Sequence, residues 1–508
     1  MADVTELTEE VIDLKRQLAA KNNYIQNLED AIRQARHRQF GASSEKVSAD
    51  QGQLFNEPEA DSGAVDANAC EVEETTSDVK GHTRKKKPRV SIPVDYPRED
   101  ILHDLPESEK VCPHDGSRLK HIGFDDHEQL DIIPAQVKVL RHRRLKYACP
   151  CCAQHIVTAS KPKQAIEKSI ASPGLLAHIT VQKYCDALPL YRQSTIFKRS
   201  GIALERSNLS NWMIKVGALV QPLINCLADA IRSQAVVHMD ETTVQVLNEP
   251  GKTAQSKSYM WLMAGFGKTP ATVFHYRDTR SGSVPLALLD NSVAAVMLDG
   301  YEGYQKACVD YQITRLGCWA HARRKFVDAQ KLQAKGKTGK PDQAIAFIQK
   351  LYRIERAIKD DSPEKRREVR RQQAKPIIDQ LKQWLEKSKP NIPPSTALGK
   401  ALTYLHNQWP RLVGYLEDGR YPIDNNPAEN AVRPFTIGRK NWLFSQSQAG
   451  ACASANLYSL IETAKMNGLN PYDYLKEVFT RLPNVETVDD IERLLPWRLE
   501  ITEVFATL

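Results

Sequence analysis

Apolar residues recur near the start of the chain at alternating steps of four and three. They are Leu7, Val11, Leu14, Leu18, Ile25, Leu28 and Ile32, with Lys21 the one polar residue on the seam. Charged residues (Glu9, Glu10, Lys15, Arg16, Glu29, Asp30) fill the positions between. A 3.5-residue period predicts a helix over residues 1–45, either zipped to a second copy as a coiled coil or packed on its own domain. Residues 46–90 lack any period and read as linker, acidic first and then basic. Residues 91–162 read as a small β-rich module, because residues 136–149 alternate apolar with basic side chains as a half-buried strand does.

The period lengthens again over residues 163–234, predicting helices. One helix, a turn at Gly201 and a second helix are expected, the second capped by Ser207 or Asn208 and burying Leu209, Trp212, Met213 and Val216. That outline is helix-turn-helix-like, with Arg192, Lys198, Arg199 and Arg206 nearby, and it also fits a plain two-helix hairpin.

From residue 235 the alternation becomes strand-like. Residues 235–246, 258–266 and 271–278 are three β-rich runs separated by short polar turns. A helical stretch (283–290) and a short apolar run ending at Asp299 follow. Strand-strand-strand-helix-strand is the order of a ribonuclease-H-like core, so the expected class is multidomain α/β. The core's first part spans 235–321, and charged helical sequence over 322–410 is an α-helical insertion. A second part covers 411–470, and residues 471–508 form a C-terminal helical segment.

Composition narrows the partners. The 508 residues carry a net charge of +8, yet residues 50–79 hold nine acidic residues and no Lys or Arg, which leaves +17 on the remainder. Such an excess suits a polyanion, because Lys and Arg displace the counterions of phosphates. No run of about 18 apolar residues suggests a membrane span, and the polar, acidic start lacks a signal-peptide pattern. A cytoplasmic, nucleoid-associated location is expected. Ten cysteines in so long a chain do not form a disulfide framework. Cys149-x-x-Cys152 is instead a knuckle suited to Zn2+, completed by Cys112 and by His114 or Asp115; a degenerate, metal-free module is the alternative. The run containing Lys85, Lys86 and Lys87 is either an arm tracking a DNA backbone or a solvated linker.

Two acids stand out in the predicted core. Asp240 lies inside the first strand and Asp299 at the end of the fourth, and these strands are neighbours in such a sheet. Attack on a phosphodiester needs an activated oxygen nucleophile and neutralisation of the charge that builds on phosphorus. Two Mg2+ ions roughly 4 Å apart do both, and hard cations take carboxylate oxygens. Glu241 falls on the opposite face by alternation, and Glu302 lies beyond Asp299.

Residues 424–434 (DNNPAENAVRP), followed by GRKNWLFS at 438–445, resemble the third-acid motif of the insertion sequence 66 family of transposases. RQFGASSEK at 38–46, KYCDALPLYRQ at 183–193, MDETTVQV at 239–246, LDGYEGYQ at 298–305 and CWAHARRKF at 318–326 agree with that family in the same order. The resemblance implies an acidic triad of Asp240, Asp299 and Glu429 holding Mg2+ or Mn2+. It also places His321 of the Cys318-x-x-His321 pair near the active site against the cleaved DNA strand, a structural histidine held by polar neighbours being the alternative. It turns Arg433, Arg439 and Lys440 toward DNA phosphate, although exposed basic residues on a helix need no such role. It implies a DNA transposase acting on element terminal inverted repeats and target DNA, working as a homo-oligomer with companion proteins of the element. A non-catalytic DNA-binding regulator and a nuclease without strand transfer are the rival readings.

Overall fold

A computed structural model describes residues 156–333 and 338–499 without a break, residues 136–148, and scattered positions between 11 and 130. The chain divides into two compact units, residues 67–142 and the remainder. Of the expected zipper, Val11, Leu14, Leu18 and Ile32 are described as helical and exposed, and most of the seam lies outside the described residues. Within residues 67–142, the Leu119 amide donates to the Lys110 carbonyl and Lys110 pairs with Asp104 at 2.6 Å.

The strand expected over residues 136–149 is a correction. Residues 136–145 form no strand and are exposed, and only β1 (Lys146–Ala148) joins a ladder, antiparallel to β2 (Ile156–Thr158). Alternation marks a segment that suits a sheet, but a strand exists only where a neighbour offers hydrogen bonds.

Four helices follow: α1 (Pro173–Tyr184), α2 (Leu190–Arg199), α3 (Arg206–Leu219) and α4 (Gln221–Arg232). Ser172 caps α1 by accepting from the Leu175 amide, and Pro173 supplies a preset φ at its first turn. Gly201 takes φ +81° in the α2–α3 turn, a conformation that only glycine adopts cheaply. The N-cap of α3 is Glu205 rather than the expected Ser207 or Asn208, and its side chain makes no capping bond. Leu209, Trp212, Met213 and Val216 are buried, as their spacing predicts.

The central sheet runs β5-β4-β3-β6-β7, with a short β8 (Ser445–Ser447) pairing the far end of β3. Strands β3 (Val237–Asn248), β4 (Lys257–Gly265) and β5 (Ala271–Arg277) are an antiparallel meander; β6 (Ala295–Leu298) and β7 (Thr314–Gly317) run parallel to β3. The crossovers carry two short helices, α5 (Ser283–Leu288) and α6 (Gln305–Asp310). Sequence periodicity missed β7, because four residues (TRLG) are too few to show an alternation.

Beyond β7 come α7 (Trp319–Gln330), α8 (Lys340–Ala357), α9 (Pro363–Val369), α10 (Lys375–Ser388) and α11 (Ala397–Val413); all but α9 contribute to a separate core around Trp319, Phe326, Ile348, Leu381 and Leu405. Arg370, fully buried in a π-helical turn between α9 and α10, pairs with Glu355 and donates to the carbonyls of Tyr415, Asp418 and Tyr421. It thereby ties the insertion to the loop that leads back to the sheet. The chain returns through α12 (Asn426–Trp442) and the long, buried α13 (Gln448–Met466), then closes with α14 (Pro471–Arg481) and α15 (Val488–Glu492).

Helix α13 does two jobs in the core. Ser459 and Thr463, one turn apart, accept from the amides of Phe274 and Thr272, so β5 carries its edge hydrogen bonds into a helix instead of offering them to another chain. On its other side α13 meets α3 so closely that a Cβ on Gly217 would sit 2.6 Å from the Cα of Ala453.

Candidate active site

Asp240 sits on β3 next to β6. Val237 pairs with Val296 and His238 with Met297, so Asp240 and Asp299 each lie two residues further along neighbouring parallel strands. Two residues is one full side-chain period, which brings both carboxylates to one face. Asp299 ends β6 in a turn where Gly300 adopts φ +115°; its carboxylate accepts the Tyr301 amide at 2.8 Å, and its carbonyl accepts the Tyr404 hydroxyl at 2.6 Å.

Glu429 comes from the first turn of α12, 130 residues after Asp299. Its Oε2 accepts from Arg324 at 3.0 Å, and its Oε1 lies 3.4 Å from Nδ1 of His321 without the alignment of a hydrogen bond. The helix is anchored by Asn425, which is buried. Its side-chain Nδ2 donates to the Met239 carbonyl at 3.0 Å, so its Oδ1 accepts from Nδ1 of His238 at 2.8 Å. Its main-chain amide donates to Sγ of Cys318 at 3.2 Å. One residue thus joins the strand bearing Asp240, the helix bearing Glu429 and the start of α7.

The electrostatics report the convergence. The Asp240 carboxyl is raised well above the usual carboxylate range, first by burial and then by the negative charges of Glu241, Asp299 and Glu429. Glu241 is already engaged: Arg280 pairs with it at 2.5 Å and the Tyr304 hydroxyl donates to it at 2.7 Å. Glu302 is half out in solvent and bound to Arg411 and Arg315, which hold its carboxyl down at about 2. Apart from Glu241, the acids whose charge reaches Asp240 are Asp299 and Glu429. All three offer hard oxygen donors, the kind a divalent ion of the magnesium class takes, and Glu429 also lies against Arg324 and His321.

Other expected residues fall elsewhere. Arg192, Lys198, Arg199 and Arg206 are exposed on α2 and at the start of α3, and Lys440 is exposed on α12. Arg433 is half-buried on α12. Arg439 differs from its expected phosphate contact: its guanidinium donates to the Thr243 carbonyl and to the hydroxyls of Thr242 and Thr243, so it fastens α12 to β3. His114 is exposed in a turn, whereas Cys112, Asp115, Cys149, Cys152, Lys85, Lys86 and Lys87 lie outside the described residues. Arg324, Asn425 and Tyr404 were not singled out by sequence reasoning. Arg324 was accessible to it, since it stands one helical turn from His321.

Residues 168–453, more than half the chain, match the family described as "Transposase IS66 family". The chain belongs to the IS66 transposase family. Further matches are an IS66 C-terminal element over 459–497, a "zinc-finger binding domain of transposase IS66" over 109–153, and "Transposase C of IS166 homeodomain" over 27–101. The zinc-finger match takes in Cys112, Asp115, Cys149 and Cys152. Among relatives from Sinorhizobium fredii (strain NBRC 101917 / NGR234), uncharacterized protein y4jD is 32% identical, covering 99% of this chain and 97% of its own length. Uncharacterized protein y4qI is 30% identical (97% and 92%), and y4hP is 32% identical (83% and 79%). An IS66 transposase role implies DNA as partner. Among the described residues no single helix is long and apolar enough to cross a membrane, and the bent pair α3–α4 that passes by length has its apolar face buried.

Proposed function

We propose that the chain catalyses metal-dependent cleavage at the ends of an IS66 element and transfers the freed 3′ ends to target DNA. The observation that carries this reading is the register of β3 and β6, which sets Asp240 and Asp299 at corresponding places on neighbouring parallel strands, with Glu429 near enough to help raise the Asp240 carboxyl. The strand order β5-β4-β3-β6-β7, with the middle strand parallel to β6 and antiparallel to β4, is the ribonuclease-H-like arrangement we assign to the core.

Asp240, Asp299 and Glu429 would hold Mg2+ or Mn2+, which would activate the attacking oxygen and offset charge on the scissile phosphate. The chain's own contribution is rigidity. Two acids stand on hydrogen-bonded strands, and the third is held in position by Arg324 and Asn425. Tyr404 links Asp299 to a groove of about 540 Å³ in which Lys325 and Lys400 stand among Asp328, Pro394, Ala397 and Thr403, and these two lysines are the phosphate contacts we assign there. In the same reading, α2 and α3 act as a helix-turn-helix that brings Arg192, Lys198, Arg199 and Arg206 to DNA. The zipper pairs subunits so that two ends are held together. The Cys112, Asp115, Cys149, Cys152 module binds Zn2+ in this scheme.

The test incubates labelled element ends and a target duplex with Mg2+. Wild type should nick and join, while Asp240→Asn and Glu429→Gln should bind the ends with unchanged affinity and do neither. Cleavage that survives both substitutions sinks the triad. Nicking without joined product leaves a nuclease, and binding with no wild-type cleavage leaves a regulator.

A further inference from the structure

Cys318 and His321 are a second constellation beside the acids. Cys318 is the N-cap of α7 and His321 lies in its first turn, three residues on, so both point off one end of the helix. Glu429 approaches from α12. One ligand atom from each of the three lies within 4.8 Å of the others. Tetrahedral zinc, with bonds of about 2.0–2.3 Å, sets its ligands about 3.3–3.8 Å apart, so a closing movement of about 1 Å completes the geometry.

The atoms facing that point have no better use. Nδ1 of His321 and Oε1 of Glu429 are both buried, and neither has a hydrogen-bond partner although they stand 3.4 Å apart. The other ring nitrogen, Nε2, faces Arg324 at 3.4 Å and accepts there, which leaves the ring proton on Nδ1; a metal that displaces this proton would bring the two buried, unpaired atoms to one cation. Cys318 is fully buried, and the Asn425 amide donates to its sulfur, the kind of outer contact that steadies a metal-bound thiolate.

We infer that Cys318, His321 and Glu429 form a site for a thiolate-seeking divalent ion of the zinc class, distinct from the all-oxygen pocket of Asp240 and Asp299. Binding exchanges the thiol proton for the metal: the S–H bond breaks, a sulfur–metal bond forms, and that proton leaves to solvent, while the ring proton of His321 moves from Nδ1 to Nε2 as the contact of Nε2 with Arg324 opens. Mg2+ is excluded, because it disfavours sulfur and prefers oxygen donors. Glu429 belongs to both sites, so an ion held by Cys318 and His321 withdraws the third acid. This consequence rests on the triad reading, whereas the site itself does not. Zinc thus acts as an inhibitor that competes for one carboxylate.

The experiment uses the full chain with Cys149→Ser and Cys152→Ser, which removes the thiolates of the zinc-finger region, and titrates it with Co2+ as spectroscopic probe. Expected are one equivalent of tightly bound cobalt, a thiolate-to-cobalt charge-transfer band and intense tetrahedral d–d bands. Cys318→Ser should abolish the charge-transfer band, and His321→Asn should weaken binding at least about tenfold while keeping it. Far-ultraviolet circular dichroism checks that both variants fold. In the Mg2+ cleavage assay, run with Cys149 and Cys152 intact, added zinc should inhibit the wild-type chain, and Cys318→Ser in that background should need a higher zinc concentration for the same inhibition. No charge-transfer band in the parent, or a band unchanged by Cys318→Ser, overturns the inference. Cleavage by the wild type without a cobalt band in the double variant sinks this site alone; a cobalt band together with a wild type that never cleaves sinks the catalytic reading and leaves the site.

Discussion

Replacing Asn425 by Ala tests whether the acids are held by a tether or merely by their own elements. The substitution removes a donor from the Met239 carbonyl and an acceptor from His238, both of which are buried. A buried polar group left unpaired costs about 1–3 kcal/mol, so the two together predict a loss of roughly 2–6 kcal/mol. The bond from the residue-425 amide to Cys318 is a main-chain bond and survives. Against a domain stability of about 5–15 kcal/mol the variant remains folded in the cold. Activity should fall further than stability suggests, because a shift of about 1 Å between β3 and α12 costs on the order of 10²-fold in a positioned reaction. Urea unfolding at constant m gives the first number, and Mg2+-dependent cleavage under folding conditions gives the second. Asn425→Asp should be equally inactive, since it loses the donor to Met239 and adds charge beside three acids. A variant with less than about 1 kcal/mol of destabilisation and wild-type cleavage refutes the tether.

Acid should weaken the core through His238, whose pKa burial lowers to about 4 despite the bond to Asn425. The unfolded chain takes up this proton near pH 6.5 and the native one only near 4, so stability present above pH 6.5 is lost as the pH falls toward 4, by on the order of 3 kcal/mol. Asp240, with its raised carboxyl, works the other way, so the measurement is the difference between wild type and His238→Gln melts across this window; parallel curves would count against it. Arg370→Met should destabilise the insertion by about 3–5 kcal/mol, because Glu355 keeps a half-exposed partner only in Arg366; a melting transition unmoved by the change refutes the clamp. Removing the charges of Arg192, Lys198, Arg199 and Arg206 together should lower the slope of log affinity against log salt by up to about 4, as for four lost phosphate contacts. An unchanged slope would place DNA elsewhere.

Local pattern determined much of this protein. Alternation located β3, β4 and β5, a short apolar run located β6, and helical spacing named the buried face of α3, because each signal lies within one element. Motif order singled out Asp240, Asp299 and Glu429, and alternation separated Glu241, which the fold engages with Arg280 and Tyr304. Tertiary structure alone decided where partners exist. Residues 136–145 carry a strand pattern and form none, whereas Thr314–Gly317 carries no pattern and forms one, since a ladder needs a neighbour that no local window contains. Arg439 reads as a phosphate ligand until the fold lays β3 beneath it. The same holds for Glu429: its chemistry is written in the sequence, but its approach to Asp240 depends on Asn425, Arg324 and the clamped insertion acting across more than a hundred residues. Side-chain periodicity is a property of neighbours along the chain, whereas a site is a property of neighbours in space.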